Sequence, residues 1–232
     1  PSPTSPSSEA IFAVAGGFGT AVYDSVEIYS SSSNSSLSWQ MPFPPMSTPR
    51  TYFPFSFSFT SNSEQRVYVC GGFDGNIYLS SCEYLNINTK TWSGIASMST
   101  ARDYNAGVLL PDGKSFIICG GHDGTSSLSS CLKLDLTSHT WSSIANMTTP
   151  RHVHGAVLYN GKMVVIGGWT GSVHLASCEQ YNENNNTWTA FPSLNTARDS
   201  FGAAVVLGKI YVAGGSNGTP LSSVEVFGGS SS

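Results

Sequence analysis

Apolar positions in this chain come in short runs broken by turn residues. The longest, Ala10 to Ala15 and Ala203 to Leu207, are strand-sized. Nothing approaches the ~20 apolar residues a membrane-spanning helix needs. Five of the runs end in a Gly-Gly pair, at Gly16-Gly17, Gly71-Gly72, Gly120-Gly121, Gly167-Gly168 and Gly214-Gly215, spaced 55, 49, 47 and 47 residues apart. A second kind of strand follows each pair: VEIY, CEYL, CLKL, CEQY and VEVF.

Other markers share the period. A Trp follows each of the first four pairs (Trp39, Trp92, Trp141, Trp188), and an Arg follows each Trp by ten or eleven residues (Arg50, Arg102, Arg151, Arg198). Asn160-Gly161 and Asp112-Gly113 are hairpin signals between the first and second strands of a unit. NINTKT and NENNNT are polar turns between the third and fourth. Self-similarity of this period marks a repeat architecture. The clearest unit is RHVHGAVLYNGKMVVIGGWTGSVHLASCEQYNENNNTWTAFPSL.

This unit resembles the kelch repeat, and the resemblance spans residues 9–228. It implies an all-β fold, a kelch-type β-propeller, in which four-stranded sheets stand around an axis and bury their faces against one another. Naming the strands a to d from the axis outward, five blades are recognisable. The first lacks strand a, because PSPTSPSSEA directly precedes IFAVAGG, and the last lacks strand d. Glycine at the end of strand b lets a neighbouring backbone come close, and the Trp is a plate to wedge between sheets. The four Arg and Glu27, Glu83, Glu179 and Glu225 read as scaffold, bonding loop carbonyls and each other. Leu132 stands at the Glu position of the third blade.

Composition adjusts this picture. Only 10 % of residues are charged, against about 25 % in an average soluble domain. The net charge is −4 and the basic residues are scattered, so nucleic acid is not an expected partner. Residues 1–8, PSPTSPSS, form a Ser/Pro linker or an O-glycosylated stalk, and 229–232 form a Ser-rich tail. Cys70 with Cys82, and Cys119 with Cys131, occupy adjoining strand ends and are candidate disulfides. The alternative is buried thiols, as for Cys178, whose would-be partner is Ile166. Candidate N-glycosylation sites stand at Asn34, Asn146, Asn185 and Asn217, a number that chance alone supplies in a chain with 14 Asn and abundant Ser and Thr. The expected setting is extracellular or at the cell surface, with a cytoplasmic one as the alternative.

Equivalent blades act as controls on each other. A residue type found in every blade is architecture, and one that changes at an equivalent loop position is a candidate for function. The variable positions lie in the b–c and d–a loops, which open on one face of a propeller. That face would carry Phe18, Tyr52, Phe73, Asp74, Tyr104, His122, Asp123, His152, His154, Trp169 and His174. Aromatic rings beside charged groups suit recognition, and the resemblance implies a protein or peptide ligand there. No GxSxG, P-loop, HExxH or EF-hand pattern occurs. The chain is therefore expected to be no enzyme, to need no cofactor or metal, and to act as a binding scaffold. Two alternatives stand beside this: a structural extracellular glycoprotein that assembles with copies of itself or into a larger coat, and a sugar-binding or copper-oxidase-like propeller. His152 and His154, two apart on an expected strand and so on one side, carry the last.

Overall fold

A computed structural model of the chain describes residues 11–17, 19–30, 39–40, 43–53, 55–59 and 65–228. All its regular structure is β. The strands are β1 (Ile11–Ala15), β2 (Val26–Ser30) and β3 (Trp39–Gln40); β4 (Phe55–Phe59), β5 (Gln65–Cys70), β6 (Cys82–Asn86) and β7 (Thr91–Ile95); β8 (Ala106–Leu109), β9 (Ser115–Cys119), β10 (Cys131–Asp135) and β11 (Thr140–Ile144); β12 (Gly155–Tyr159), β13 (Lys162–Ile166), β14 (Cys178–Asn182) and β15 (Thr187–Phe191); and β16 (Gly202–Val206), β17 (Lys209–Ala213) and β18 (Val224–Phe227). Each group is one antiparallel sheet with its strands in chain order. The first sheet begins at strand b and the last ends at strand c. Phe18, Asn34 and segments 1–8 and 229–232 lie outside the described residues, as do the side chains of Glu27 and Trp39.

Turn chemistry sets the meander. Asn160 and Gly161 join β12 to β13 with φ of 48° and 74°, the left-handed pair that a tight hairpin requires. Between third and fourth strands, Asn86 and Asp135 each accept backbone amides two and three residues on. Those turns close at Lys90 and His139 with positive φ.

The sheets stack through their faces. β4, β8, β12 and β16 touch in succession and so line the axis. Apolar clusters fill the seams: Tyr68 and Cys82 with Phe116 and Leu134, then Ile117 and Cys131 with Met163 and Tyr181, then Val164 and Cys178 with Ile210 and Val212.

Two polar fastenings recur at these seams. Three repeat indoles each donate Nε1–H to a carbonyl past the last strand of the preceding sheet: Trp92 to Pro44, Trp141 to Ala96 and Trp188 to Ala145, all at 2.8 Å. Each repeat Arg, fully buried, spans two sheets. Its carbonyl sits over the Gly-Gly step of the sheet before, where the amides of Gly72, Gly121 and Gly168 donate to Arg102, Arg151 and Arg198 at 2.8–2.9 Å. A Cβ on Gly71, Gly120 or Gly167 would collide with that carbonyl. The guanidinium reaches into its own sheet. Arg151 donates to the carbonyls of Gly167 (2.7 Å) and Ser177 (2.8 Å) and to Glu179 (2.8 Å), and Arg50 and Arg198 repeat the pattern with Glu83 and Glu225. Arg102 has Leu132 where the others have Glu, and donates instead to the carbonyls of Gly120 and Ser130 and to Ser130 Oγ. Burial pulls the Arg102 guanidinium down to about 10, opposed by the nearby Asp123 charge. It still carries its proton at neutral pH.

The cysteines follow the strand register. Cys70 faces Cys82, and Cys119 faces Cys131, directly across the ladder with Cα atoms 4.2 Å apart, and each pair is a disulfide. Cys178 faces Ile166 and is a buried free thiol.

Candidate recognition face

The b–c and d–a loops meet at one end of the sheets, and backbone hydrogen bonds knit them across blades. Tyr104 N donates to Tyr52 O (2.6 Å), Val153 N to Tyr104 O (3.0 Å) and Ser200 N to Val153 O (3.1 Å). All four of these residues hold positive φ, between 46° and 58°. That conformation is costly for a β-branched residue such as Val153 and persists only where the surroundings over-determine it. The residue before each of them forms a bridge with the residue following Gly-Gly: Thr51 with Phe73, Asp103 with His122, His152 with Trp169, and Asp199 with Ser216. The sequence thus places one d–a and one b–c residue together in four successive repeats and varies their identity.

These side chains form an arc. Phe73 meets Tyr78 (5.2 Å between centroids), Tyr78 meets His122 (5.9 Å) and His122 meets His152 (5.2 Å). Nearer the axis, Tyr52 stacks on Tyr104 at 4.2 Å, and Tyr104 approaches His152. Beyond His152, Trp169 lies 4.2 Å from His174, whose Nδ1 is 2.7 Å from Asp199 Oδ2. Ser127 Oγ is 2.9 Å from His152 Nδ1. His122 Nδ1 accepts the amide of Gly124 (3.0 Å). At the loop tips the apolar side chains of Ile77 and Val173 are 59 % and 57 % exposed.

Cations are segregated along the molecule, whereas carboxylates occur at both ends, with Asp112, Asp135 and Glu183 at the one away from these loops. Asp24, Asp74, Asp103, Asp123 and Asp199 all belong to this end. Its arginines are the buried ones of the seams. Arg66, Lys90, Lys114, Lys162 and Lys209 stand at the opposite end, at the starts of the second and fourth strands, and Lys133 lies within β10. Burial raises the Asp103 carboxyl to about 7. Burial lowers the His152 imidazole, and the neighbouring His122 adds to the effect.

The expected face residues divide. Tyr52, Phe73, Tyr104, His122, His152, Trp169 and His174 come together as described. Asp74 and Asp123 lie in the b–c loops, where each carboxylate caps its own turn through two backbone amides. His154 is not on the face. It is buried beneath it between Gly120 and Gly168, with neither ring nitrogen hydrogen-bonded and its imidazole held well below the usual range by desolvation. Nor does it share a strand with His152, because the positive φ at Val153 breaks the alternation and β12 begins only at Gly155. Among the described residues, no group of three or more His, Cys, Asp or Glu is placed to hold a metal ion. Sequence reasoning missed Tyr78, Ser127, Asp103 and Asp199. The signal was present: Tyr78, Ser127 and His174 each stand five residues after the residue that follows Gly-Gly.

The repeat has counterparts among known families. The model of the KLHDC2/KLHL20/DRC7 Kelch-repeats domain matches residues 97–231, and that of the Kelch motif matches residues 60–99. No curated protein matches the chain. Kelch repeats generally serve as protein-binding scaffolds rather than catalysts. With more than half its length under one such model, and the seams described above, this chain belongs to the kelch-repeat family.

Proposed function

We propose that the chain is a scaffold that binds a protein or peptide through the face formed by its d–a and b–c loops, and that the bound segment presents a basic residue. The observation that carries this reading is the continuous arc from Phe73 to Asp199, rich in rings and carboxylates and lacking any exposed cation. A lysine or arginine over Tyr52, Tyr104 or Trp169 gains cation–π attraction, with Asp74, Asp123 and Asp199 as counter-charges. An acidic segment meets five aspartates instead. The four strained loop residues hold the arc in place before a partner arrives, which reduces the ordering cost of binding.

Selection from a random peptide display library tests this. Peptides enriched in Lys or Arg are expected, with binding lost in a Tyr104→Ala/Trp169→Ala double variant. Acidic peptides, or peptides that bind the double variant equally well, overturn the reading.

An oxidising, extracellular setting is part of the proposal, supported by the paired cysteines. Asn146, Asn185 and Asn217 are exposed and open to glycosylation there. Alkylation of the unfolded, unreduced natural protein is expected to label one thiol, that of Cys178. Five labelled thiols contradict the setting.

A further inference from the structure

Three of the four repeat arginines share a carboxylate with the loop that precedes them. Glu179 accepts Arg151 Nη2 (2.8 Å) and the successive amides of Thr148 (2.7 Å) and Thr149 (3.1 Å). Glu225 accepts Arg198 Nη2 (2.8 Å) and the amides of Asn195 (2.6 Å) and Thr196 (3.0 Å). Glu83 accepts Arg50 Nη2 (3.0 Å) and both the amide (3.0 Å) and the hydroxyl (2.7 Å) of Ser47. In each seam a guanidinium and a loop thus converge on one negative charge.

The sheet β8–β11 keeps these donors and replaces the acceptor. Ser99 and Thr100 form the same bend before Arg102 that Thr148 and Thr149 form before Arg151. The loop is anchored in the same way: Met98 N donates to Ser80 O and Arg102 N to Leu79 O, as Met147 N does to Ser129 O and Arg151 N to Leu128 O. At the Glu position stands Leu132, buried beside Met98 in an apolar cluster. Among the described residues, no carboxylate pairs with Arg102, and no acceptor meets the amides of Ser99 and Thr100. Arg102 Nη2 has Ser130 Oγ alone, at 2.9 Å. The Asp123 charge acts on the guanidinium, but that carboxylate caps its own turn on the amides of Thr125 and Ser126. Arg102 is 0 % exposed, and a buried cation without a close counter-charge is costly. The fall of its guanidinium to about 10 is what such a cation shows.

We propose that the seam between β4–β7 and β8–β11 binds a small monovalent anion of chloride size, held by Arg102 Nη2 and the amides of Ser99 and Thr100. The ion does there what the carboxylate oxygens of Glu83, Glu179 and Glu225 do in the other seams. A leucine side chain ends about where a glutamate has its carboxyl carbon, so the ion sits beyond the Leu132 methyls, between them and the loop. Successive backbone amides aimed at one point suit an anion, and the guanidinium makes the bond charge-assisted. Ser99 is exposed, which gives solvent ions a way in. The apolar wall of Leu132 and Met98 disfavours ions of higher charge, whose desolvation costs more. The anion fastens the seam, and binding a peptide on the aromatic arc does not require it.

The test compares thermal midpoints of the wild-type chain in sodium chloride and in sodium gluconate at one ionic strength. Chloride is expected to raise the midpoint saturably, by about 2–4 °C. Leu132→Glu gives this sheet the carboxylate of the other three and is expected to lose the response. Tyr104→Ala/Trp169→Ala is expected to keep it, so the anion site and the recognition face stand or fall separately. Crystals of the wild-type chain grown with bromide are expected to show an anomalous peak beside Arg102 Nη2 and the Ser99 amide, and none beside Arg50, Arg151 or Arg198. That result decides whether or not Leu132→Glu folds. Equal midpoints in the two salts, a chloride response that survives in Leu132→Glu, or no bromide at Arg102 overturns the proposal.

Discussion

The sheet β12–β15 and the sheet β16–β18 carry nearly the same strands, yet they meet water differently. Val157, Val164, Ile166 and Cys178 are all buried, because β16 and β17 cover them. Their equivalents in the next sheet, Ala204, Tyr211, Ala213 and Val224, have no described sheet beyond them, and Val224 is 58 % exposed. The Gly-Gly step tells the same story. Gly167 lies under the Arg198 carbonyl, whereas Gly214 has only Leu221 O nearby, at an ordinary 3.5 Å. Burial in this fold is therefore a property of the seam rather than of the strand. The repeat fixes which atoms face a neighbour, and the neighbour fixes what they are worth.

Paired substitutions sharpen this contrast. The largest effect is expected at the arginines. Arg151→Met leaves the Glu179 carboxylate, whose side chain is only 7 % exposed, without a counter-charge, which costs about 3–5 kcal/mol. Arg198→Met is expected to cost roughly half as much, since the Glu225 side chain is 14 % exposed and reaches water more readily. Urea denaturation of both variants checks the order, and equal losses break the comparison.

Gly167→Ala comes next. It combines a left-handed backbone with a collision against Arg198 O, and is expected to cost about 3 kcal/mol. Gly214→Ala keeps only the backbone penalty, about 1 kcal/mol. Comparison of thermal midpoints separates the two.

The aspartates at equivalent d–a positions give a pH-dependent version. Asp103 is 4 % exposed, and burial raises its carboxyl to about 7. Above the unfolded value its folded state holds the extra proton. Its contribution is therefore fully present below about pH 4 and is lost as pH rises to about 7, at no more than about 1.4 kcal/mol per pH unit. Asp103→Asn is expected to flatten that decline, and Asp199→Asn, beside His174 and nearer water, to leave it in place. Denaturation midpoints measured from pH 4 to pH 8 decide.

The smallest effect belongs to Val224→Lys, expected within about 0.5 kcal/mol of wild type. The equivalent change Cys178→Lys buries an ammonium in a seam and prevents folding, as circular dichroism would show.

Much of this was legible in the sequence because the repeat makes the chain its own alignment. The spacing of Gly-Gly, Trp and Arg gives the described sheets and their strand order. The cysteine positions mark the candidate pairs, and the strand register decides for disulfides over buried thiols. The loops leading into the first strands were harder to read. RHVH looks like the start of a strand, and its alternation places His152 and His154 on one side. The left-handed residue between them is imposed by hydrogen bonds to Tyr104 O and from Ser200 N, in other blades, and local sequence carries no trace of those. The partners Tyr78 and Asp199 were hidden for a related reason. Each earns its place through a ring in the next or preceding blade, about 25 to 45 residues away.

The reach of the seam fastenings bears on how such a chain assembles during synthesis. The bonds of the arginine Nη atoms join residues 16–33 apart, and the three indole bonds join residues 43–48 apart. Each new sheet can thus latch onto the one just made, without waiting for the far terminus. Growth of this kind is nearest-neighbour and directional. A ribosome-stalled fragment cut after Phe191 would already hold Arg151, Glu179 and Trp188 in their final places.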